Sequence, residues 1–201
     1  MPQVGGKVTK ERILDAALES FATIGYDGTS LDDLASQLEI RKQTILYHFV
    51  TKRGLLAAVV ERAAEELIAA LENVLASEIN GWDRVESLVR TTFRLALQEP
   101  QLLGLLREVS RPGSTASGRL RNLLTPLMDR AANWMESEMN AGRMRKTDSR
   151  LVLLSAYSTV VGLATEIEVL RAAGIEQALR PVALRRRELL RFLRASLNPI
   201  F

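Results

Sequence analysis

From Ile13 onward, apolar residues recur at intervals of three and four: Ile13, Ala16, Ala17, Phe21 and Ile24 first, then Leu31, Leu34, Ala35 and Leu38. This is the 3.6-residue period of an amphipathic helix, not the alternation of a strand, and it persists through most of the chain, which predicts an all-α fold. Gly25 follows the first run where a left-handed residue ends a helix. Ser30 opens the second run with Asp33 three residues on, a capping-box pattern. Only Glu39 to Arg41 separate this helix from a third short one, Lys42 to Phe49, and Thr51 caps a long fourth helix from Lys52 to about Glu78. Two short helices joined by a three-residue turn, behind a first packing helix, constitute a helix-turn-helix.

Further helices are expected at Asp83 to Leu97, Gln101 to Val109, Gly118 to Gly142, Thr147 to Ala173, and in a last segment ending near Leu197. The fold class is thus all-α with about nine helices: an N-terminal three-helix helix-turn-helix domain over residues 1–56, and a helical domain over 57–201. No Gly/Ser-rich linker separates the two, and SRPGSTASG (residues 110–118) is the one clear flexible loop.

Composition removes several function classes. With 201 residues and 47% hydrophobic content the chain can bury a core. It has no cysteine, hence no disulfide and no thiolate nucleophile or ligand. The start, MPQVGGKVTK, lacks an apolar signal core, and the longest uncharged apolar run, Leu151 to Thr165, is shorter than the roughly 18 residues of a membrane span. A cytoplasmic protein with no membrane partner is expected. One histidine and no cysteine cannot assemble a metal site, so His48 reads as structural or phosphate-facing. The acidic pairs Asp32-Asp33, Glu65-Glu66 and Glu166-Glu168 fit caps and solvated faces without a nucleophile or oxyanion loop beside them. Neither catalysis nor a cofactor is expected.

The net charge of +3 says little; its distribution says more. Up to Leu56 seven Lys and Arg face seven Asp and Glu, yet every one of those acids precedes Arg41. RKQTILYHFVTKRG, residues 41–54, holds four cations, Tyr47, His48 and no carboxylate. A fold that gathers Arg41, Lys42, Lys52 and Arg53 on one surface offers a positive face suited to nucleic acid.

Several features occur together here: Phe21, Gly25 and Tyr26 at the end of the first helix, the Thr29-Ser30 cap, Leu34-Ala35, Thr44, His48-Phe49, and Lys52 before Leu55-Leu56. In this combination, residues 13–61 closely resemble the DNA-binding domain of TetR-family transcriptional regulators. The chain departs from the family pattern at three places. Glu39 stands where glycine is usual in the turn, which asks a non-glycine residue to accept a left-handed conformation or the turn to change. Arg41 stands where a serine-like cap is usual, placing a cation at the positive end of a helix dipole, with DNA contact as the gain. Tyr47 comes one residue after the usual tyrosine, where Leu46 stands, and so lies about 100° around the helix.

A helix in the major groove reads base edges from its first turn, which makes Arg41, Lys42 and Gln43 the expected readers. The resemblance implies phosphate contacts for Ser30, Thr44, Tyr47 and Lys52, and carboxylates there would be repelled. It also implies that the second domain binds an effector and forms a dimer. Within Leu120 to Met139 an apolar stripe of Leu, Met and Trp is interrupted by Pro126, which removes a backbone hydrogen bond and is expected to kink the helix. Core packing is the default reading of such a stripe. A mostly apolar pocket would draw on Phe93, Met128, Trp134 and Tyr157. Leu151 to Ala164 is apolar nearly all round, and Ser155, Thr159 and Gly162 are small enough to let two helices approach. With Leu189 and Leu193 of the last helix they are the expected dimer-interface residues. Arg180, Arg187, Arg191 and Arg194 line a neighbouring face read as solvated or acid-paired.

The expectation is a homodimeric transcriptional repressor that binds double-stranded operator DNA and is released by a largely apolar small molecule. The rival reading is a helical ligand-binding or scaffold protein that keeps the motif without reading DNA.

Overall fold

A computed structural model describes residues 3–110, 114–175 and 179–199, with ten α-helices and no strand among them. In order these are α1 (Gln3–Thr23), α2 (Leu31–Gln37), α3 (Lys42–Phe49), α4 (Lys52–Leu75), α5 (Gly81–Gln98), α6 (Pro100–Val109), α7 (Ser117–Asn140), α8 (Ser149–Thr165), α9 (Ile167–Ala172) and α10 (Leu179–Leu197). The all-α expectation holds. One helix expected over Thr147 to Ala173 is two, because the backbone turns at Glu166 (φ −81°, ψ 67°), which caps α8 and starts α9. α7 continues through Pro126.

The chain forms two compact units, one of residues 1–66 and 101–123, the other of residues 67–100 and 124–201. This division differs from the boundary at residue 56, since the first unit takes in most of α6 and part of α4 and α7.

In the first unit α1, α2 and α3 pack on one another. Ile13, Ala17, Phe21, Leu34, Ile45, Leu55 and Val59 are all nearly or wholly excluded from water. Of the residues the helical period selects, Ile13, Ala16, Ala17, Phe21, Leu34 and Ala35 are buried, whereas Ile24 is 65% exposed; burial of the large apolar ones contributes roughly 1.5–3 kcal/mol each. Arg62 of α4 reaches Glu11 and Asp15 of α1, and Arg119 of α7 reaches Glu61 of α4.

In the second unit α5, α8 and α10 pack against each other around Val89, Phe93, Val160, Val182, Leu189 and Leu193. A second cluster holds Val85, Met135, Met139, Met144 and Leu197. Arg185, buried on α10, donates from Nη1 to the Leu163 carbonyl near the C-terminal end of α8 (2.9 Å), the end whose dipole favours a cation. Burial holds its guanidinium below the ordinary arginine range. Glu138, nearly enclosed, receives two bonds of 2.7 Å from Arg143. Those bonds, against the opposing effect of burial, hold its carboxyl below the ordinary range, with the Arg143 and Arg84 charges adding. A carboxyl depressed in the fold contributes stability that is present at neutral pH and is lost on acidification through that lowered value.

Candidate nucleic-acid interface

Ser30 has extended backbone (φ −109°, ψ 153°); its Oγ accepts the Asp33 amide at 3.0 Å and donates to the Asp33 carboxylate at 2.6 Å. Ser30 therefore caps α2 as read from sequence, but the Asp33 carboxylate accepts from the Ser30 hydroxyl and not from its backbone amide, so the reciprocal half of the capping box is replaced by a side-chain bond. α2 ends in a Schellman motif: the Ile40 amide bonds the Ala35 carbonyl and the Glu39 amide bonds that of Ser36. The motif requires positive φ at its pivot, and Glu39 adopts φ 55°. The turn thus keeps the left-handed geometry without glycine, at a cost of about 1 kcal/mol.

α3 is anchored from one side. Ile45 and Phe49, one turn apart, are buried, at 1% and 7% exposure. The flank they leave outward carries Gln43, exposed, and Tyr47, 83% exposed. Tyr47 meets His48 edge to face at 5.2 Å between centroids. Arg41 is the N-cap of α3, exposed and without any side-chain bond to the helix start. The dipole penalty expected for a cation there is uncompensated within the helix. Thr44 is half-buried on the first turn, its amide bonded to the Arg41 carbonyl at 2.8 Å.

Lys42 is not unpaired. Its Nζ lies 2.7 Å from the Asp32 carboxylate, from the first turn of α2. Acids cleared from residues 41–54 in sequence are thus partly restored in space, because α2 and α3 pack together. Both side chains are well exposed, so the pair contributes only about 0–1 kcal/mol and yields readily to a phosphate or base.

The junction between α3 and α4 is tight. Val50 stands at φ 60°, ψ −45°, and the Thr51 amide bonds the Phe49 carbonyl at 2.6 Å, which is a γ-turn with positive φ at a β-branched residue. Thr51 Oγ1 accepts the Gly54 amide at 2.9 Å and so caps α4 as expected. Lys52 begins α4 with its ammonium 4.3 Å from the centre of the Tyr26 ring, a cation–π contact that ties it to the end of the first helix. The Tyr26 ring in turn touches Phe21. Ser30, Arg41, Lys42, Gln43, Thr44, Tyr47, His48 and Lys52 all fall on the α2–α4 segment of this unit. The pairing of Lys42 with Asp32 and the strain at Val50 carried no sequence signal beyond the general penalty for a β-branched residue at positive φ.

The pocket expectation fares differently. Phe93 is packed into the first core cluster of the second unit, Trp134 lies against the second cluster under the Arg84 guanidinium at 5.2 Å, and Tyr157 is 42% exposed. None of these three, nor half-buried Met128, lines the groove beside Trp82 or the one beside Asp148. Of the expected interface positions, Ser155 is exposed and Thr159 and Gly162 are half-buried, while Leu189 and Leu193 are buried within the chain's own core. Period alone cannot say which of two apolar stripes on a helix faces its own core. The exposed apolar residues of α8 and α10 are instead Leu151, Leu154, Leu184 and Phe192.

Among the described residues no cluster of His, Cys, Asp or Glu could hold a metal ion, and no helix is long and apolar enough to cross a membrane.

Residues 13–59 match the family of bacterial regulatory proteins described as the tetR family. The chain is 44% identical over 46 residues to the biofilm operon icaADBC HTH-type negative transcriptional regulator IcaR of Staphylococcus aureus, a match covering 23% of this chain and 25% of IcaR. The matched stretch therefore spans about a quarter of that relative's length. It is 26% identical over 184 residues to the HTH-type transcriptional regulator UidR of Escherichia coli, covering 89% of this chain and 92% of UidR. Among solved structures it superposes on the transcriptional regulator FadR of Bacillus subtilis in complex with stearoyl-CoA with a TM-score of 0.76, at 18% identity, over 92% of this chain and 98% of the other.

Proposed function

We propose that the chain is a regulator of the TetR type, a homodimeric, cytoplasmic transcriptional repressor released from a pseudo-palindromic operator by a small molecule. In this reading residues 1–56 form the DNA-binding domain and 57–201 the effector-binding and dimerisation domain. The observation that carries the reading is the geometry of α3. Its inner side is fixed by Ile45 and Phe49, and Arg41, Lys42, Gln43 and Tyr47 stand outward on a helix of the size the major groove admits. Arg41, Lys42 and Gln43 read base edges; Ser30, Thr44, Tyr47, His48 and Lys52 hold phosphates at the groove walls. The exposed N-cap cation costs helix stability and gains attraction to the duplex.

Negative regulation is supported by the name IcaR carries, and release by a ligand by the stearoyl-CoA bound to the B. subtilis regulator; each is a property of that protein brought here by proposal. Selection of bound duplexes from a random pool tests the reading: recovery of a symmetric motif with two half-sites about one helical turn or more apart supports it, and recovery of no motif leaves the scaffold alternative.

Lys52 supplies a quantitative arm. It starts α4 beside Tyr26, away from the first turn of α3, so Lys52→Ala should weaken all DNA sequences nearly equally. The log-log salt slope should fall by about one per lost phosphate contact, hence by about two for a dimer on its full site. Affinities at several salt concentrations decide this, and an unchanged slope removes Lys52 from the phosphate contacts.

The dimer is proposed to form through α8 and α10. Leu151, Leu154 and Phe192 leave apolar surface in water that a second copy would cover, and Ser155 and Gly162 let the helices approach. A Cβ at Gly162 would meet nothing in its own chain closer than Glu166 Cγ at 4.0 Å, so a substitution there perturbs the monomer little. Gly162→Leu should therefore weaken dimerisation by about 1–3 kcal/mol through overpacking, without lowering monomer stability. Sedimentation across a concentration series checks it; an unshifted monomer–dimer equilibrium places Gly162 outside the interface.

A further inference from the structure

The second unit carries an arginine-rich groove that the DNA-binding reading does not use. Its volume is about 870 Å³; Trp82 and Arg90 of α5 line one wall, and Arg186, Arg187, Arg191 and Arg194 of α10 the other. We propose that this groove is a binding site for a small organic polyphosphate, of the kind in which a pyrophosphate carries a flat aromatic ring.

Charge makes the first part of the case. Five guanidinium groups face two carboxylates: Glu86 pairs with Arg90, and Glu188 accepts from both Arg187 (3.3 Å) and Arg191 (2.8 Å), leaving a net charge of 5 − 2 = +3. Arg186 and Arg194 have no carboxylate partner among the described residues. A guanidinium fork binds phosphate oxygens in pairs, and two or three such forks converging from two helices fit adjacent phosphates better than a single anion.

Spacing makes the second part. Arg187, Arg191 and Arg194 lie at i, i+4 and i+7, which places them on one flank of α10 over a length of about 10 Å. That length suits a pyrophosphate with a group attached. The Arg194 guanidinium lies 5.4 Å from the centre of the Trp82 ring, and this stack gives a planar platform at one end of the row on which an aromatic ring can lie. The volume is that of a small-molecule site, roughly 300–1,000 Å³. Phe192, two residues from Arg194 and so on the opposite side of α10, belongs to the face proposed for the dimer, which leaves the groove on the other flank. Leu184, exposed on the same helix, also lines the groove, so groove and dimer face share α10, but the site does not rest on the dimer or operator readings.

The test uses the full chain without DNA. ADP, inorganic pyrophosphate and adenosine are titrated by calorimetry at constant ionic strength, with tryptophan fluorescence followed in parallel. ADP and pyrophosphate should bind, ADP the tighter, and adenosine should not. Arg186→Ala/Arg194→Ala should weaken ADP about tenfold or more; Arg194 is exposed and Arg186 half-buried, so the far-ultraviolet circular dichroism should be unchanged. Arg194→Ala alone should lower ADP affinity more than pyrophosphate affinity, because it also removes the stacking platform. Three results each overturn the proposal: no heat or fluorescence change with ADP or pyrophosphate at millimolar concentration; equal binding by parent and doubly substituted protein; or full displacement of ADP by sulfate at matched ionic strength, which would mean general screening of surface arginines. Loss of random-duplex binding in the double variant with no ADP binding by the parent would make the groove a DNA surface and also end the proposal.

Discussion

Gly54→Ala should be among the most damaging single-methyl additions this chain can receive. A Cβ at Gly54 would lie 2.3 Å from the carbonyl oxygen of Phe49 and 3.3 Å from Thr51 Oγ1. The obstructing atom is backbone, at the end of the helix proposed to face DNA, so no side-chain rotation relieves it. The Phe49 carbonyl also accepts the Thr51 amide in the γ-turn, and the Gly54 amide is bonded to the Thr51 hydroxyl. Moving any one of them disturbs the other two. A loss of about 3 kcal/mol is expected, at the upper end of overpacking costs, which for a chain of this size lowers Tm by roughly 6–12 °C. Operator affinity should fall with it. Val50→Gly should act in the opposite sense, raising stability by about 1 kcal/mol, because glycine accepts φ 60° without the strain of a β-branched side chain. Thermal unfolding of both variants beside the parent is sufficient; a Gly54→Ala protein melting with the parent would mean that the junction is not built as described.

Glycine at position 54 is easily passed over in the sequence, where it looks like a weak spot in the first turn of a helix. Its role depends on a carbonyl five residues earlier that only the three-dimensional turn brings close. The same distinction runs through the rest of the molecule. The N-cap at Ser30, the helix stop at Gly25 and the cap at Thr51 were legible because each is a local backbone or hydrogen-bonding pattern at fixed spacing. At Glu39 the sequence left open a left-handed residue or a changed turn, and the fold takes the first. Most of the buried face of the first two helices followed from period, with Ile24 the exception, which is exposed.

What was not legible was set by contacts between segments distant in sequence. The absence of acids from residues 41–54 suggested an unopposed positive surface, yet Asp32 comes within 2.7 Å of Lys42 across the α2–α3 packing. Leu189 and Leu193 have the period of an interface stripe and equally that of a core stripe; the packing of α5, α8 and α10 assigns them to the core and leaves Phe192 outside. Phe93, Trp134 and Tyr157 were grouped as aromatic pocket residues on chemistry, and the fold distributes them among two core clusters and the surface. The break at Glu166 has no proline or glycine to announce it.

Lys42 has the second of the large expected effects. In the free protein its ammonium is held beside Asp32 on an exposed surface, an arrangement that orders the side chain at little cost and releases it easily. On the first turn of α3 it is within the part of a recognition helix that meets base edges. If it donates to a base edge there, Lys42→Ala should cost about 1–3 kcal/mol per half-site, hence roughly 2–6 kcal/mol on a symmetric operator bound by a dimer. Preference at one position of each half-site should relax, and affinity for random DNA should change far less.

The central claim is that α3 reads sequence, and the most direct measurement is the affinity of parent and Lys42→Ala protein for the selected duplex and for a random duplex at matched salt. The account predicts a large loss on the selected duplex and a small one on the random duplex, so that the ratio of the two affinities collapses. Equal losses on both DNAs would contradict it, and Lys42 would then be one more phosphate contact on a helix that does not read bases there.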